Sequence, residues 1–121
     1  NIKFLDNVND IDKTSYLSNA QALIFPGIED FGITPLESLA SGTPVIAFRD
    51  GGVLDYLKEN ENAIFFNKQT SDSLNRALVK FEKNKHKFNS DSLRKTVLDF
   101  SDQRFIDQLK KIIKKNLKNE K

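Results

Sequence analysis

The sequence predicts an α/β protein in which helices flank a parallel sheet. Continuous apolar runs at residues 22–25, 44–48 and 63–66 are typical of short strands that are buried on both faces. The stretches between and after these runs carry apolar residues at spacings of three and four, which indicates amphipathic helices. Strands that alternate with helices in this way favour parallel pairing through right-handed crossovers.

The first elements are predicted from local spacing. A weakly alternating segment at residues 2–5 predicts a short strand. Asp12 is the expected N-cap of the helix that follows, whose apolar face includes Tyr16 and Leu17. The apolar run at residues 22–25 then adds a strand, so a strand, helix, strand order begins at the N-terminus.

The next helix has the clearest start signal in the sequence. Thr34 can cap it, Pro35 suits the first helical position, and Glu37 completes a capping box. We expect this helix to end at Gly42. After the next strand, the Gly pair at residues 51–52 predicts a tight turn into a short helix.

Only helices are predicted beyond the strand at residues 63–66. Ser71, Ser90 and Ser101 are their expected N-caps, and the Lys-rich stretch at residues 80–87 is the expected loop within this helical tail. The last helix carries an apolar stripe that comprises Phe105, Leu109, Ile112, Ile113 and Leu117. We expect the protein to need this stripe for packing.

Composition narrows the class of protein. A chain of 121 residues with 38% hydrophobic and 30% charged residues fits one folded domain. It has no Cys, which excludes disulfides and thiolate chemistry, and it has no apolar run long enough for a membrane span. We expect a cytoplasmic location. The chain also has no Met, from which we expect a piece of a longer protein.

Chemistry is expected where the strand at residues 22–25 gives way to the helix at Thr34. Ligands of open α/β sheets bind at the carboxyl ends of strands, beside helix N-termini whose free N–H groups suit phosphate. Gly32 allows the backbone to approach a ligand closely. Glu29 and Glu37 bracket the turn, and their carboxylates can accept hydrogen bonds from sugar or ribose hydroxyls. From the residues alone, the alternative that Glu29 is a solvated loop residue and Glu37 only caps the helix remains open.

The segment from residue 25 to residue 47 resembles the signature of retaining glycosyltransferases of family 4. Their characteristic pair of Glu residues is matched by Glu29 and Glu37, and the stretch at residues 40–47 and the Gly pair at residues 51–52 also agree. The resemblance implies a GT-B enzyme with two Rossmann-like domains. The chain, residues 1–121, would be part of its C-terminal, nucleotide-sugar-binding half-domain, with a helical tail.

The resemblance assigns roles to the matching residues. Glu37 would bind the ribose hydroxyls of the donor, and Glu29, the candidate catalytic residue, would contact the transferred sugar. The backbone N–H groups of Phe31 and Gly32 would contact sugar hydroxyls. The N–H groups of Ile33 and Thr34 would face the diphosphate. The hydroxyl of Thr34 would also face it, unless this hydroxyl caps the helix.

The resemblance also bears on the glycines, the cofactor and the donor. Gly42 and the Gly pair are expected to be structural rather than in contact with the donor. The family needs no bound metal, and we expect no cofactor. Asp30, preceded by Pro26 and Gly27, resembles bacterial mannosyltransferase-like members, which favours GDP-mannose as the donor.

Parts of the family's machinery are not found. Members carry a basic pair that neutralises the diphosphate, yet only Lys3 and Lys13 precede Glu29, and their positions do not fit. The N-terminal acceptor domain, which supplies a catalytic His, is also absent, and His86 is expected to lie on the surface. We therefore expect the chain to act as half of a site within a longer retaining enzyme, inactive by itself. The alternative is a non-catalytic α/β interaction or regulatory module.

The tail at residues 104–121 has seven basic residues, opposed only by Asp107 and Glu120. Nucleic acid is not an expected partner, since aromatic residues are not interleaved with the basic ones. A solvated basic face remains open, as does weak peripheral contact with anionic lipid at the inner membrane face.

Overall fold

The computed structural model describes residues 1–119, and strands alternate with helices in it as predicted. The helices are α1 (Asp10–Asn19), α2 (Ile33–Ala40), α3 (Ser71–Asn84), α4 (Ser90–Lys95) and α5 (Asp102–Asn119). The strands are β1 (Leu23–Phe25), β2 (Val45–Phe48) and β3 (Ala63–Phe66). Short 3-10 helices span Gly52–Asp55, Lys85–Lys87 and Leu98–Phe100. Glu120 and Lys121, which the basic tail includes, lie outside the described residues.

The three strands form one parallel sheet in the order β1-β2-β3. Leu23 is paired with Val45, and Val45 is paired in turn with Ala63. The parallel sheet flanked by helices is confirmed. The predicted strand at residues 2–5 is wrong, because these residues are exposed coil and Phe4 is 93% exposed. Within residues 1–119, no strand pairs with the backbone of this segment.

Two of the three strands have the predicted burial. Every side chain of β3 is buried, and three of the four in β2 are. The prediction that the first apolar run is buried on both faces is wrong: β1 lies at the edge of the sheet and Ile24 is 43% exposed. A run of apolar letters does not distinguish an edge strand from a central one.

The core lies on both faces of the sheet. On one face, side chains of the sheet pack with residues from α2, the first 3-10 helix and α4: Leu39, Val45, Val53, Phe65 and Leu93. On the other face they pack with α3: Ile46, Ile64, Phe66, Ala77 and Phe81. The face covered by α2 is the one that carries the candidate site.

The predicted N-cap of α1 is wrong. The helix is capped by Asn9, whose Oδ1 accepts a hydrogen bond of 2.8 Å from the backbone N–H of Asp12. Asn9 donates in return from Nδ2 to the Asp12 carboxylate at 2.9 Å. Asp12 therefore lies inside the first turn, where its negative charge also suits the positive end of the helix dipole.

Neighbouring polar residues shift two later caps by one position. Thr70 caps α3 in place of Ser71, and Asn89 caps α4 in place of Ser90. Ser101 is confirmed at the start of α5, where its Oγ accepts from the N–H of Arg104 at 3.3 Å. Much of the predicted loop at 80–87 is helical, because α3 continues to residue 84.

The C-terminal end of α2 is formed as predicted. The last helical residue is Ala40, and Gly42 follows with a positive φ of 83°. Thr43 then donates from Oγ1 to the carbonyl of Leu17 at 2.6 Å, in a buried hydrogen bond. This contact anchors α1 against the end of α2.

The outer edge of β3 is covered by the turn that precedes the strand. Glu59 accepts a hydrogen bond of 3.1 Å from the N–H of Phe65, and Asn60 donates its N–H to the carbonyl of Ala63 at 2.9 Å. Arg49 and Lys80 hold the Glu59 carboxylate at 2.8 and 2.5 Å. We call this arrangement the Glu59 clasp.

The apolar stripe of α5 differs from the expectation. We expected packing to cover it, but Phe105, Leu109 and Ile112 are 65%, 43% and 57% exposed. The N-terminal end of α5 contacts the 3-10 helix Leu98–Phe100. Along residues 1–119, no helix combines the length and the apolarity needed to cross a membrane.

Candidate functional site

The turn that joins β1 to α2 lies at the carboxyl end of β1, as the fold class requires of a ligand site. Gly32 has φ of 82° and is the N-cap of α2, which begins at Ile33. The predicted cap at Thr34 and the capping box at Glu37 are therefore wrong. Because Gly32 turns the chain in the left-handed region, helical geometry starts two residues earlier than the Thr-Pro signal indicates.

The first turn of α2 has no side-chain cap. The N–H groups at an uncapped helix start keep their hydrogen-bonding capacity for water or a ligand. Pro35 has no N–H, so the orphan donors of this turn are those of the two residues before it: Ile33 and Thr34. Both residues are exposed, as are Glu29 and Phe31 earlier in the turn, whereas Gly32 is buried.

The Gly pair at residues 51–52 lies directly beneath this turn. The N–H of Gly52 donates to the carbonyl of Glu29 at 2.8 Å. A Cβ on Gly52 would lie 1.7 Å from the carbonyl oxygen of Asp30, and one on Gly51 would lie 2.7 Å from that of Glu29. Two backbones thus pass at a separation that only Gly allows, which is the structural role expected of this pair.

Tyr56 fixes the same turn from the protein interior. Its hydroxyl lies 2.9 Å from the carbonyl oxygen of Phe31 and 2.5 Å from that of Gly32, and these two acceptors share its single proton. Its ring packs against Phe31 and Phe100 with centroids 5.8 and 5.6 Å away. Sequence reasoning placed Tyr56 in a short helix and missed this role, because the contact spans 24 positions in the chain.

Burial raises the pKa of Tyr56 from 10.0 to about 12, with further contributions from the negative charges of Glu29 and Asp55. The folded protein therefore holds this proton more tightly than the unfolded chain does. The stabilisation is complete below pH 10 and is lost as pH rises through the folded-state pKa.

We expect Tyr56→Phe to lower the free energy of unfolding by about 0.5–1.5 kcal/mol at neutral pH, the usual net value of one hydrogen bond. The difference between the two proteins should shrink from pH 10 to pH 12, because only the wild type carries this titrating phenol. Urea unfolding followed by circular dichroism across that range measures both effects. Tyr16→Phe is the matched control, since Tyr16 is 49% exposed. An equal loss in both variants would contradict the role of Tyr56.

Glu37 forms an ion pair in place of the predicted capping box. Lys13 of α1 donates from Nζ to Oε1 of Glu37 at 2.9 Å, and Asp10 lies 3.5 Å from the same nitrogen. The hydrogen bond to Glu37 is the largest cause of a raised pKa at Lys13. In the sequence, the position of Lys13 does not fit the family's basic pair. In the structure, its ammonium group is paired with Glu37.

A groove of about 810 Å³ runs beside the turn, between α2 and the start of α5. Of the predicted site residues, it brings together Phe31, Ile33 and Glu37. Phe100 and Phe105 supply further apolar lining. Three other predicted site residues are not part of the lining, two in the turn before α2 and one in its first turn: Glu29, Gly32 and Thr34. Within residues 1–119, no three His, Asp or Glu side chains converge on a point where they could hold a metal ion.

The fold is an α/β fold with a parallel sheet, a class in which ligands commonly bind where a strand gives way to a helix. The family model described as glycosyl transferases group 1 matches residues 1–97, which is most of the chain. The chain belongs to this family.

Similar proteins agree with that assignment. The chain is 32% identical over 115 residues to an alpha-1,3/1,6-mannosyltransferase of Dictyostelium discoideum, covering 93% of this chain and 27% of that protein. It is 32% identical over 83 residues to a phosphatidyl-myo-inositol mannosyltransferase of Propionibacterium freudenreichii, covering 65% and 22%. A match to sucrose-phosphate synthase 4 of Arabidopsis thaliana is 36% identical over 59 residues, covering 49% and 6%. The chain spans about a quarter or less of each of these relatives.

Proposed function

We propose that residues 1–121 are part of the C-terminal, donor-binding domain of a retaining glycosyltransferase, with a nucleotide sugar as donor. The observation that carries the proposal is the uncapped start of α2 at Gly32, flanked by Glu29 and Glu37 at the carboxyl end of β1. Two of the three relatives described above are named as mannosyltransferases, which supports mannose as the transferred sugar and GDP-mannose as the donor.

Each residue of the turn has a distinct proposed role. The Glu37 carboxylate binds the ribose hydroxyls, and Glu29 contacts the transferred sugar and is the candidate catalytic residue. The N–H groups of Phe31 and Gly32 contact sugar hydroxyls. The N–H groups of Ile33 and Thr34 face the diphosphate, and so does the hydroxyl of Thr34. The start of α2 at Ile33 supports the last assignment, since Thr34 is inside the helix and does not act as its cap.

The proposed chemistry is transfer on the face from which the nucleotide departs, so that the sugar keeps its configuration. Developing charge on the leaving diphosphate needs compensation, which is a large share of catalysis in such reactions. The uncapped helix N-terminus supplies part of it. Lys13 contacts α2, but its ammonium group is paired with Glu37. We therefore propose that a separate N-terminal domain supplies the acceptor site and that the chain by itself is inactive.

Weak donor binding is the expected property of the isolated chain. In titration calorimetry, GDP-mannose, UDP-glucose and UDP-GlcNAc should each bind with a Kd of about 1 mM or weaker, since only part of the nucleotide contacts and little positive charge are available. Titration of each nucleotide sugar into protein that has been unfolded by heating gives the background heat. A Kd in the micromolar range for any of the three would contradict the division of the site between two domains.

A non-catalytic interaction module is the second candidate function. The exposed apolar stripe on α5 favours it, because large exposed patches often mark interaction surfaces. The reading frame upstream of Asn1 separates the two: a coding segment of roughly 200 or more residues, the size of another domain, supports the enzyme. We propose a cytoplasmic location for the protein.

A further inference from the structure

Helix α5 presents an apolar surface that the rest of the described chain leaves open. Six large side chains lie along it, each between 41% and 65% exposed: Phe105, Ile106, Leu109, Ile112, Ile113 and Leu117. At 100° per residue they share an arc of about 140° on the helix. Phe105 also lines the groove beside the candidate site, so the open surface begins there and continues to the end of the helix.

The opposite face of α5 is basic. The helix carries Arg104 and five lysines but only two acidic residues, Asp102 and Asp107. Arg104 is paired with Asp99 at 3.6 Å, and Asp107 accepts a hydrogen bond from Gln103 at 3.0 Å. The five lysines of α5 form no ion pair within residues 1–119: Lys110, Lys111, Lys114, Lys115 and Lys118.

We propose that α5 docks the protein on an anionic lipid surface, lying in the plane of the bilayer interface. An apolar stripe that enters the acyl boundary, with a lysine face that meets lipid phosphates, matches both halves of such an interface. Lys110 and Lys115 border the stripe in projection, where long side chains can extend their ammonium groups toward the headgroups.

Charge favours the bilayer over other occupants of this surface. Two copies of α5 that buried their stripes against each other would bring two positively charged helices together, which costs free energy, whereas an anionic surface attracts both. A polyanion such as RNA would engage the lysines but would leave the apolar stripe uncovered. Of these three occupants, only the lipid surface uses the stripe and the lysines together.

Co-sedimentation with vesicles tests the proposal on the whole chain. One set of vesicles is phosphatidylcholine, and the other adds phosphatidylglycerol. We expect the protein to pellet with the anionic vesicles only, and the bound fraction to fall as salt rises. One variant replaces the lysines that dominate the basic face with Gln: Lys110, Lys111, Lys114 and Lys115. A second variant replaces Leu109 and Ile112 with Gln. Each should lower the bound fraction at least about fivefold, since two signals are needed for stable attachment.

Matched controls separate α5 from general charge and hydrophobicity. The first replaces four lysines elsewhere with Gln: Lys58, Lys68, Lys83 and Lys87. The second replaces two exposed apolar residues outside α5 with Gln: Leu54 and Val79, 46% and 55% exposed. Both controls should bind as the wild type does, with unchanged circular dichroism. Wild-type protein that stays in the supernatant, or binding that survives loss of the stripe, overturns the proposal. So does self-association in sedimentation velocity that only the stripe variant abolishes, since a second copy would then cover the surface.

Discussion

Gly52→Ala is expected to lower the free energy of unfolding by about 1–3 kcal/mol, the usual cost of forcing extra volume into a packed site. The new methyl group would lie 1.7 Å from the carbonyl oxygen of Asp30, so one backbone segment must move. The hydrogen bond from the N–H of Gly52 to Glu29 would then be lost or lengthened. Thermal unfolding should show a midpoint lower by roughly 4 °C or more per kcal/mol.

Gly27→Ala is the matched control for that substitution. Gly27 is in the β1–α2 loop, which Gly52 contacts, and a Cβ there would meet no atom within 4 Å. Its midpoint should stay unchanged or rise slightly, because Ala restricts the unfolded chain. Amide chemical shifts report the local effect: those of Phe31 and Gly32 should move in Gly52→Ala and remain in place in the control. Equal midpoints for both variants would show that the turn does not depend on the close approach at Gly52.

Substitutions of Glu29 and Glu37 should show which part of the donor each carboxylate binds. Glu37→Ala is expected to weaken binding of guanosine, GDP and GDP-mannose alike, since all three contain the ribose. Glu29→Ala should weaken GDP-mannose alone, because only this ligand carries the transferred sugar. Losing a hydrogen bond to a charged group corresponds to about 1.5–3 kcal/mol, or roughly ten- to hundredfold in affinity. Because the chain binds weakly, chemical-shift titrations at high ligand concentration are the suitable measurement.

We expect the two variants to differ only slightly in stability. The difference would be larger if Glu37 capped the helix. The Glu37 carboxylate is bound by Lys13 on a partly exposed surface, and such pairs contribute about 0–1 kcal/mol. The Glu29 side chain makes no hydrogen bond or ion pair within residues 1–119, so Glu29→Ala should leave the midpoint unchanged. A loss of affinity for guanosine in Glu29→Ala would contradict the proposed division of the two carboxylates. Glu29→Gln tests whether the charge or only the hydrogen-bonding oxygen is needed.

The sequence predicted those elements whose signal is local and repeated. The apolar runs of β2 and β3 are confirmed because both strands are buried on both faces, so no alternation is needed to recognise them. The end of α2 at Gly42 is confirmed for the same kind of reason, since a helix commonly ends where Gly adopts a positive φ. The strand predicted at residues 2–5 failed because pairing depends on a neighbour, which local alternation does not provide.

The candidate site shows where local reasoning stops. The helix start was predicted from Thr34 and Pro35, but the left-handed Gly32 governs it. The partners of the turn are distant in sequence: Tyr56 reaches Gly32 across 24 positions, and Lys13 reaches Glu37 across the same number. No periodicity or motif in the chain indicates either contact, because each depends on how α1 and the first 3-10 helix pack against α2.

The Glu59 clasp makes the two edges of the sheet unequal. At β3 the outward N–H of Phe65 is bound by a carboxylate that Arg49 and Lys80 hold, so an incoming strand would have to displace an ion network. At β1 the edge is more open, with Ile24 43% exposed. Edge strands template the addition of further strands unless they are blocked. A further strand would therefore pair with β1 more readily than with β3.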